Sequence, residues 1–275
     1  MKKRLADVQS TKAPRKPRVR EIKDDVRFNT ALARGLQILA IFREGDVDLD
    51  ANEIKDRTGI PAQTLQKLTL TLCELGYMLL DESTERFRLA PSVLDLGYGV
   101  LSNIDIDVIA RPLMMELADE CGGVVSLAVL DGDSMIYIET ARGAGPMLRN
   151  ISVGMKVPVA STSLGWACLA SMPQAAREEV LKEIRSKRPP DWSSIQENIA
   201  RGISEVSARG YCCNIGNYVT QSNAVGVPLP GGSGDRYLAF NCAGPADTFT
   251  AKQLTEKWGP RLLALARAVG GRSTV

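Results

Sequence analysis

Apolar residues in the first part of the chain recur at helical spacing in three blocks. Leu32, Leu36, Leu39 and Phe42 form the first. Asn29 is placed to cap that helix, and Gly45 with the acidic cluster after it to end it. Asp50 and Glu53 have capping-box spacing and open a second, short helix over 50–58, with Gly59 as its stop. Pro61 fits the first turn of a third helix, which runs to Gly76 with Leu65, Leu68, Leu72 and Leu75 as its apolar stripe. About two or three residues separate helices two and three, the tight junction of a helix-turn-helix. The period then falls to two. Phe87 and Leu89 alternate with Arg86 and Arg88, and together with 77–80 they flank the polar stretch 81–85. This is the pattern of a small hairpin with basic residues on one face. Three helices and a hairpin predict a winged helix-turn-helix over 28–90, with the helix-turn-helix at about 50–75.

Beyond it, 91–104 reads as a helical linker. A helix from Asp105 through Met115 and Leu117 leads to Gly122-Gly123. Alternating stretches at 124–130 and 135–140 flank Asp131-Gly132, a hairpin signal. Further strands are expected at 147–153, 157–160, 224–229 and 237–242, and helices at 163–172, 173–187 and 191–209. A last helix opens with Thr250 and Gln253 as a capping box and is expected to kink at Gly259-Pro260. Strands and helices mixed in this way predict an α+β sensory domain with an antiparallel sheet over 105–275.

The third helix carries Gln63, Thr64, Gln66 and Lys67 on its polar face near the start. Glutamine can read adenine by two hydrogen bonds, lysine can reach guanine or phosphate, and threonine can serve either base or backbone. On a recognition helix these residues would enter the major groove of double-stranded DNA, with Arg86 and Arg88 on the wing. The bland alternative is a solvated face. Charge complicates the picture, because 28–95 holds 7 basic and 11 acidic side chains. Arg57, Lys67, Arg86, Arg88 and the N-terminal tail would then have to gather on one face. Residues 1–20 carry +7 of a net charge of +2, which leaves the remainder at −5. A basic tail over 1–27 is either a disordered arm drawn to a polyanion or a solubilising extension.

The chain has no histidine, which excludes Ser-His-Asp and Cys-His catalysis and His-bearing zinc sites. With no phosphate-cradling glycine pattern either, no enzyme, cofactor or metal is expected. No apolar run approaches the roughly 18 residues of a membrane span. Six scattered cysteines suit a reducing cytoplasm. A thiol sensor centred on the adjacent Cys212-Cys213 is the competing function on the same scaffold.

The order of these pieces resembles the IclR family of bacterial transcription regulators. The stretches 30–39, 59–68, 74–77 and 86–91 are similar to that family's first helix, recognition helix, exit into the wing and wing return strand. In the second half 127–132, 159–165, 208–211 and 243–245 are similar to segments of its effector domain. The resemblance implies a GAF-like C-terminal domain binding a small organic effector, often an acid or an aromatic, and assembly as homodimers or tetramers. Carried over position by position, the effector pocket would be lined by Met147, Arg149, Val157, Ser163, Leu164, Asn214, Ala224, Asn241 and Ala243. Ser161, Thr162 and Ser163 also precede a helix, whose first N–H groups suit a carboxylate; simple capping is the other reading of that run. Trp166, Asn241 and Ser222-Asn223 depart from the residues usual in the family.

Overall fold

The computed structural model describes residues 27–43, 45–101, 107–144, 151–187, 189–229 and 236–271. The chain divides into two compact units, Met1–Ser102 and Asn103–Val275.

In the first unit α1 (Thr30–Leu39), α2 (Ala51–Thr58) and α3 (Ala62–Glu74) precede a hairpin of β1 (Met78–Asp81) and β2 (Arg86–Leu89); α4 (Val93–Leu101) follows. The starts of α1 and α2 and the stop of α2 are those read from the sequence, whereas α1 ends at Leu39, before the expected Phe42 and Gly45. Asn29 accepts from the Leu32 N–H. Asp50 and Glu53 close a reciprocal capping box, and Gly59 leaves α2 at φ 69, the left-handed region that favours glycine. Ile38, Ile41, Leu49, Ile54, Ile60, Leu65, Leu72 and Met78 form the core. Leu49 and Phe87 exchange two backbone hydrogen bonds of 2.8 Å, which tie the hairpin to the segment entering α2.

The second unit is a six-stranded curled antiparallel sheet in the order β5-β4-β3-β8-β7-β6. Its strands are β3 (Val124–Asp131), β4 (Ser134–Arg142), β5 (Lys156–Pro158), β6 (Cys212–Ile215), β7 (Ser222–Leu229) and β8 (Leu238–Pro245). One face receives α6 (Ser163–Ser171), which is backed by α8 (Trp192–Arg209). The other packs α5 (Asp107–Cys121) and α10 (Gly259–Gly270). α7 (Gln174–Ser186) lies between α6 and α8 in the chain.

Four expectations change. Of the strand expected at 147–153, positions 147–150 fall outside the described residues and 151–153 are not in a strand. The strand expected at 157–160 ends at Pro158 and turns into a 3-10 segment, Val159–Ser161. The Pro158 carbonyl there accepts from the Thr162 hydroxyl, at 2.7 Å. β6 was not foreseen, since Cys-Cys-Asn-Ile does not alternate. It is an edge strand, paired only with β7. The last helix departs from α geometry before Gly259 rather than at it. After α9 (Ala251–Gln253) come the π-helical residues Leu254–Trp258, and the Gly259 N–H bonds to the Leu254 carbonyl. The Thr255 carbonyl, freed by that wider turn, accepts from the Tyr211 hydroxyl at 2.7 Å. A β-carbon at Gly259 would lie 2.4 Å from the same tyrosine ring. Insertion of a side chain into the ladder is a recognised cause of such an irregularity.

Candidate functional site

α3 buries Leu65, Thr69 and Leu72 and turns Gln63, Gln66 and Lys67 outward, with Thr64 half-buried. Positions 63, 66, 67 and 70 share one face at 100° per residue. Leu70, 62% exposed, is therefore the next residue along that face. The sequence reading omitted it, although an exposed apolar side chain on the face of the glutamines can touch a thymine methyl. Thr71 instead bonds back to the Lys67 carbonyl at 2.8 Å.

The two arginines of the hairpin do different things, which corrects the expectation that they present together. Arg88 is exposed. Arg86 turns back onto carboxylates around the start of α2, reaching Glu53 at 2.7 Å and Asp50 at 3.4 Å and pairing with Asp48. Arg57, also expected on the basic face, pairs with Asp46 and reaches the Ile41 carbonyl at 3.3 Å. Hydrogen bonding from Arg57 holds the Asp46 carboxyl below its ordinary value. Four of the acidic residues that make 28–95 negative are thus taken up in ion pairs that brace the wing and α2. The exposed cations on α3 and β2 are Lys67 and Arg88.

In the second unit the register of the sheet brings distant candidates together. Asn214 lies opposite Ala224, and Ala224 opposite Ala243. One row on, Cys212, Gly226, Asn241 and Ser126 are opposed in turn. Residues two apart share a face, so all of these point to one side of the sheet. That side is covered by the start of α6, since a β-carbon at Gly226 would lie 2.2 Å from the Ser163 carbonyl. The Asn214 side chain donates to the Ser161 carbonyl at 2.7 Å and accepts from the Asn217 N–H at 3.0 Å. Leu164 and Val157 are buried in the same apolar cluster as Met135 and Tyr137. Met147 and Arg149 lie outside the described residues.

Within the serine-threonine run the roles divide. Thr162 caps α6, accepting from the Gly165 N–H at 3.2 Å. Ser161 is half-buried and offers its carbonyl to Asn214. Among the described residues the Ser163 hydroxyl is buried without a protein partner, and so is the Asn241 amide oxygen. The Asn241 side chain lies beside the Tyr137 hydroxyl, whose pKa burial pushes up, so the phenol stays neutral. Tyr137 was missed from the sequence; only its place in the alternation of β4 could have flagged it. The departures at Trp166 and Ser222-Asn223 have structural reasons. Trp166 is fully buried, donates to the Ala160 carbonyl at 3.0 Å and packs against Gly202 of α8. Asn223 holds the Phe249 carbonyl at 2.9 Å, and Ser222 the Gly244 carbonyl at 3.2 Å.

Residues 31–81 match the IclR helix-turn-helix domain, and residues 98–270 match the bacterial transcriptional regulator IclR C-terminal domain. The chain belongs to the IclR family. IclR regulators bind DNA through this helix-turn-helix and are not enzymes. An IclR family regulator from Brucella abortus is 36% identical in sequence, with a TM-score of 0.78 over 92% of this chain and 96% of its own. The Pca regulon regulatory protein of Pseudomonas putida is 29% identical over 252 residues, covering 91% of this chain and 86% of that one. An IclR homologue from Microbacterium hydrocarbonoxydans, solved in complex with 4-hydroxybenzoate, shares the fold at 20% identity. Its TM-score is 0.72, over 89% of this chain and 99% of its own. The helix-turn-helix match takes in α2 and α3, and the C-terminal match takes in the sheet with α6.

Proposed function

We propose that this IclR regulator binds operator DNA through Gln63, Thr64, Gln66, Lys67 and Arg88, and that a small hydroxylated acid with an apolar body controls that binding. The acid would sit on the sheet face under the start of α6. The carrying observation is the pair of buried oxygens without a protein partner, Ser163 Oγ on α6 and Asn241 Oδ1 on β8. A buried polar atom left unsatisfied costs about 1–3 kcal/mol, and a ligand that supplies its partner recovers that cost. The serine hydroxyl can donate to a carboxylate, beside first-turn N–H groups that have no intrahelical acceptor. The asparagine oxygen can only accept, so the matching ligand atom must donate, as a hydroxyl does. Leu164, Val157, Ala224 and Ala243 supply apolar walls. Met147 and Arg149 join this lining by resemblance, and Asn214 braces the 3-10 segment that leads into it. The 4-hydroxybenzoate bound by the Microbacterium relative has this chemistry.

In the first unit Leu32, Leu36, Leu39, Leu68, Leu72, Leu75 and Leu96 line an apolar groove of about 510 Å³. Leu32 and Leu75 in it are more than half exposed. A second copy of the chain covers this groove in the proposal, because paired helix-turn-helix units read paired half-sites. Among the described residues no helix is long and apolar enough to cross a membrane, and the proposed setting is the cytoplasm. The test is fluorescence anisotropy of a labelled operator fragment, titrated with and without 4-hydroxybenzoate, benzoate and 4-hydroxybenzyl alcohol. The proposal requires that the hydroxylated acid shift the curve more than either partial analogue. Equal responses to all three, or none, would overturn it.

A further inference from the structure

The adjacent cysteines singled out by the sequence do not form a pair in space. Cys212 faces the Ser163 carbonyl, at 3.5 Å, and Cys213 faces the Arg209 guanidinium, at 3.5 Å. Neighbouring side chains on a strand point to opposite sides of the sheet, which prevents them from bridging. A different pair does meet. Cys121 ends α5 and Cys242 lies on β8, and their sulfurs are 3.6 Å apart although 121 residues separate them in sequence. Cys121 is partly exposed, whereas Cys242 is fully buried. The Gly123 N–H points at the Cys121 sulfur from 3.3 Å, and the Cys121 thiol lies 3.5 Å from the Ala118 carbonyl.

We propose that Cys121 and Cys242 are a hydroperoxide-responsive dithiol whose oxidation staples the end of α5 to β8. The step balances as follows. The Cys121 thiolate attacks one oxygen of the hydroperoxide, the O–O bond breaks, and Cys121 becomes a sulfenic acid while water or an alcohol leaves. The Cys242 sulfur then attacks the Cys121 sulfur, the S–O bond breaks, and a second water leaves with the Cys242 proton. Two thiols are oxidised and one peroxide is reduced; a dithiol reductant reverses the change.

Three observations favour this pair over the other thiols. The attacking sulfur belongs to the partly exposed residue and the resolving sulfur is adjacent and buried, the arrangement of a redox-sensing pair. Closing from 3.6 Å to a bond of about 2.05 Å moves the sulfurs by roughly 1.6 Å, within reach of side-chain rotation at a helix end next to Gly122-Gly123. The Cys242 hydrogen bond, with the Gly123 N–H, also holds Cys121 below the ordinary thiol value. Burial instead pushes Cys73 and Cys213 up, and Cys168 up to about 12.

The experiment treats the folded full-length chain with a small excess of hydrogen peroxide, quenches with catalase, and denatures it in N-ethylmaleimide. Intact mass and peptide mapping follow. Of the six cysteines, four take maleimide, the mass before alkylation falls by two hydrogen atoms, and the cross-linked peptide joins 121 to 242. Dithiothreitol restores six labels. In Cys242→Ser the oxidised Cys121 is captured by dimedone as a sulfenic acid. Six labels at that dose, or a bridge mapped between any other two cysteines, would overturn the proposal. The wild-type mapping decides the matter even if the serine variant does not fold.

Discussion

Replacing Asn241 with leucine separates a ligand-binding polar cluster from a structural one, because the two readings give opposite signs. The Asn241 oxygen is buried without a protein partner, so removing it relieves about 1–3 kcal/mol of desolvation cost. The same change removes the polar side chain beside the buried Tyr137 hydroxyl, and losing that neighbour has a similar cost. These terms oppose each other, and Asn241→Leu without ligand should stay within about 1 kcal/mol of the wild type. Adding Tyr137→Phe removes the second orphan as well. The double variant should then equal or exceed wild-type stability, because replacing both members of a buried polar pair by apolar groups is nearly neutral or stabilising. Binding should move the other way. If Oδ1 accepts from the effector hydroxyl, the wild type should prefer 4-hydroxybenzoate over benzoate by about tenfold, or roughly 1.4 kcal/mol. Asn241→Leu should bind the two alike, through lost affinity for the hydroxylated acid. The assays are urea unfolding followed by tryptophan fluorescence and calorimetric titration with both acids. A double variant less stable than wild type by more than about 2 kcal/mol would show the pair to be structural. Undiminished preference for the hydroxylated acid in Asn241→Leu would refute the contact itself.

Alanine at Gln66 or Lys67 should cost roughly 1–3 kcal/mol of operator affinity with unchanged circular dichroism, measured by anisotropy on specific DNA. Arg88→Gln should weaken DNA binding with little loss of stability. Arg86→Gln should lower the melting temperature of the first unit, since its guanidinium clamps Asp48, Asp50 and Glu53. Deleting residues 1–20 removes a charge of +7 and should make the slope of log affinity against log salt shallower for any DNA sequence. Asp46 has a folded pKa below 3.8 through its bond to Arg57. Its contribution is therefore complete above 3.8 and is lost as pH falls through the lower folded value. Acid titrations of wild type and Asp46→Asn should differ in stability at neutral pH and converge below that window.

Local signals were legible in the sequence because their partners lie within a few residues. Asn29, the Asp50 and Glu53 box, and Gly59 each act over four residues or fewer. The stripe on α3 follows from one helical period, and so does the face carrying Gln63, Gln66 and Lys67. The contacts that define the sites are not local. Arg86 reaches Asp48 across 38 residues, and nothing in its own strand distinguishes it from Arg88. Asn241 meets Tyr137 only after β8 and β4 have both paired with β3, so the polar spot under α6 appears only with the register of the whole sheet. β6 is short and pairs on one side, so its residues are not required to alternate. The resemblance supplied Asn241 and Ser163 as candidates. It could not show that the carved-out polar atoms would be theirs, nor that Asn214 would be taken up in holding the Ser161 carbonyl.

The position of α6 explains why a ligand on this face could be felt elsewhere in the second unit. The helix is seated without slack. A β-carbon at Gly226 would lie 2.2 Å from the Ser163 carbonyl, and one at Gly165 would lie 2.1 Å from the Val159 carbonyl. On its far side Trp166 leaves room for only hydrogen at Gly202, where a β-carbon would lie 2.7 Å away. Close-packed interiors transmit displacement, because moving one element by a fraction of an ångström forces its neighbours to move or to lose contact. A molecule bonded to Ser163 Oγ acts on the first residue of α6, and α6 can shift only by moving against the sheet, the 3-10 segment or α8. In the proposed site small residues on the sheet, among them Ala128, Ala224, Ala239 and Ala243, would make room for an effector. The same small residues, with Gly226, let the helix approach closely enough for the effector's presence to matter. In the proposal, binding site and lever are therefore built from the same positions, and a side chain added there should impair binding and response together.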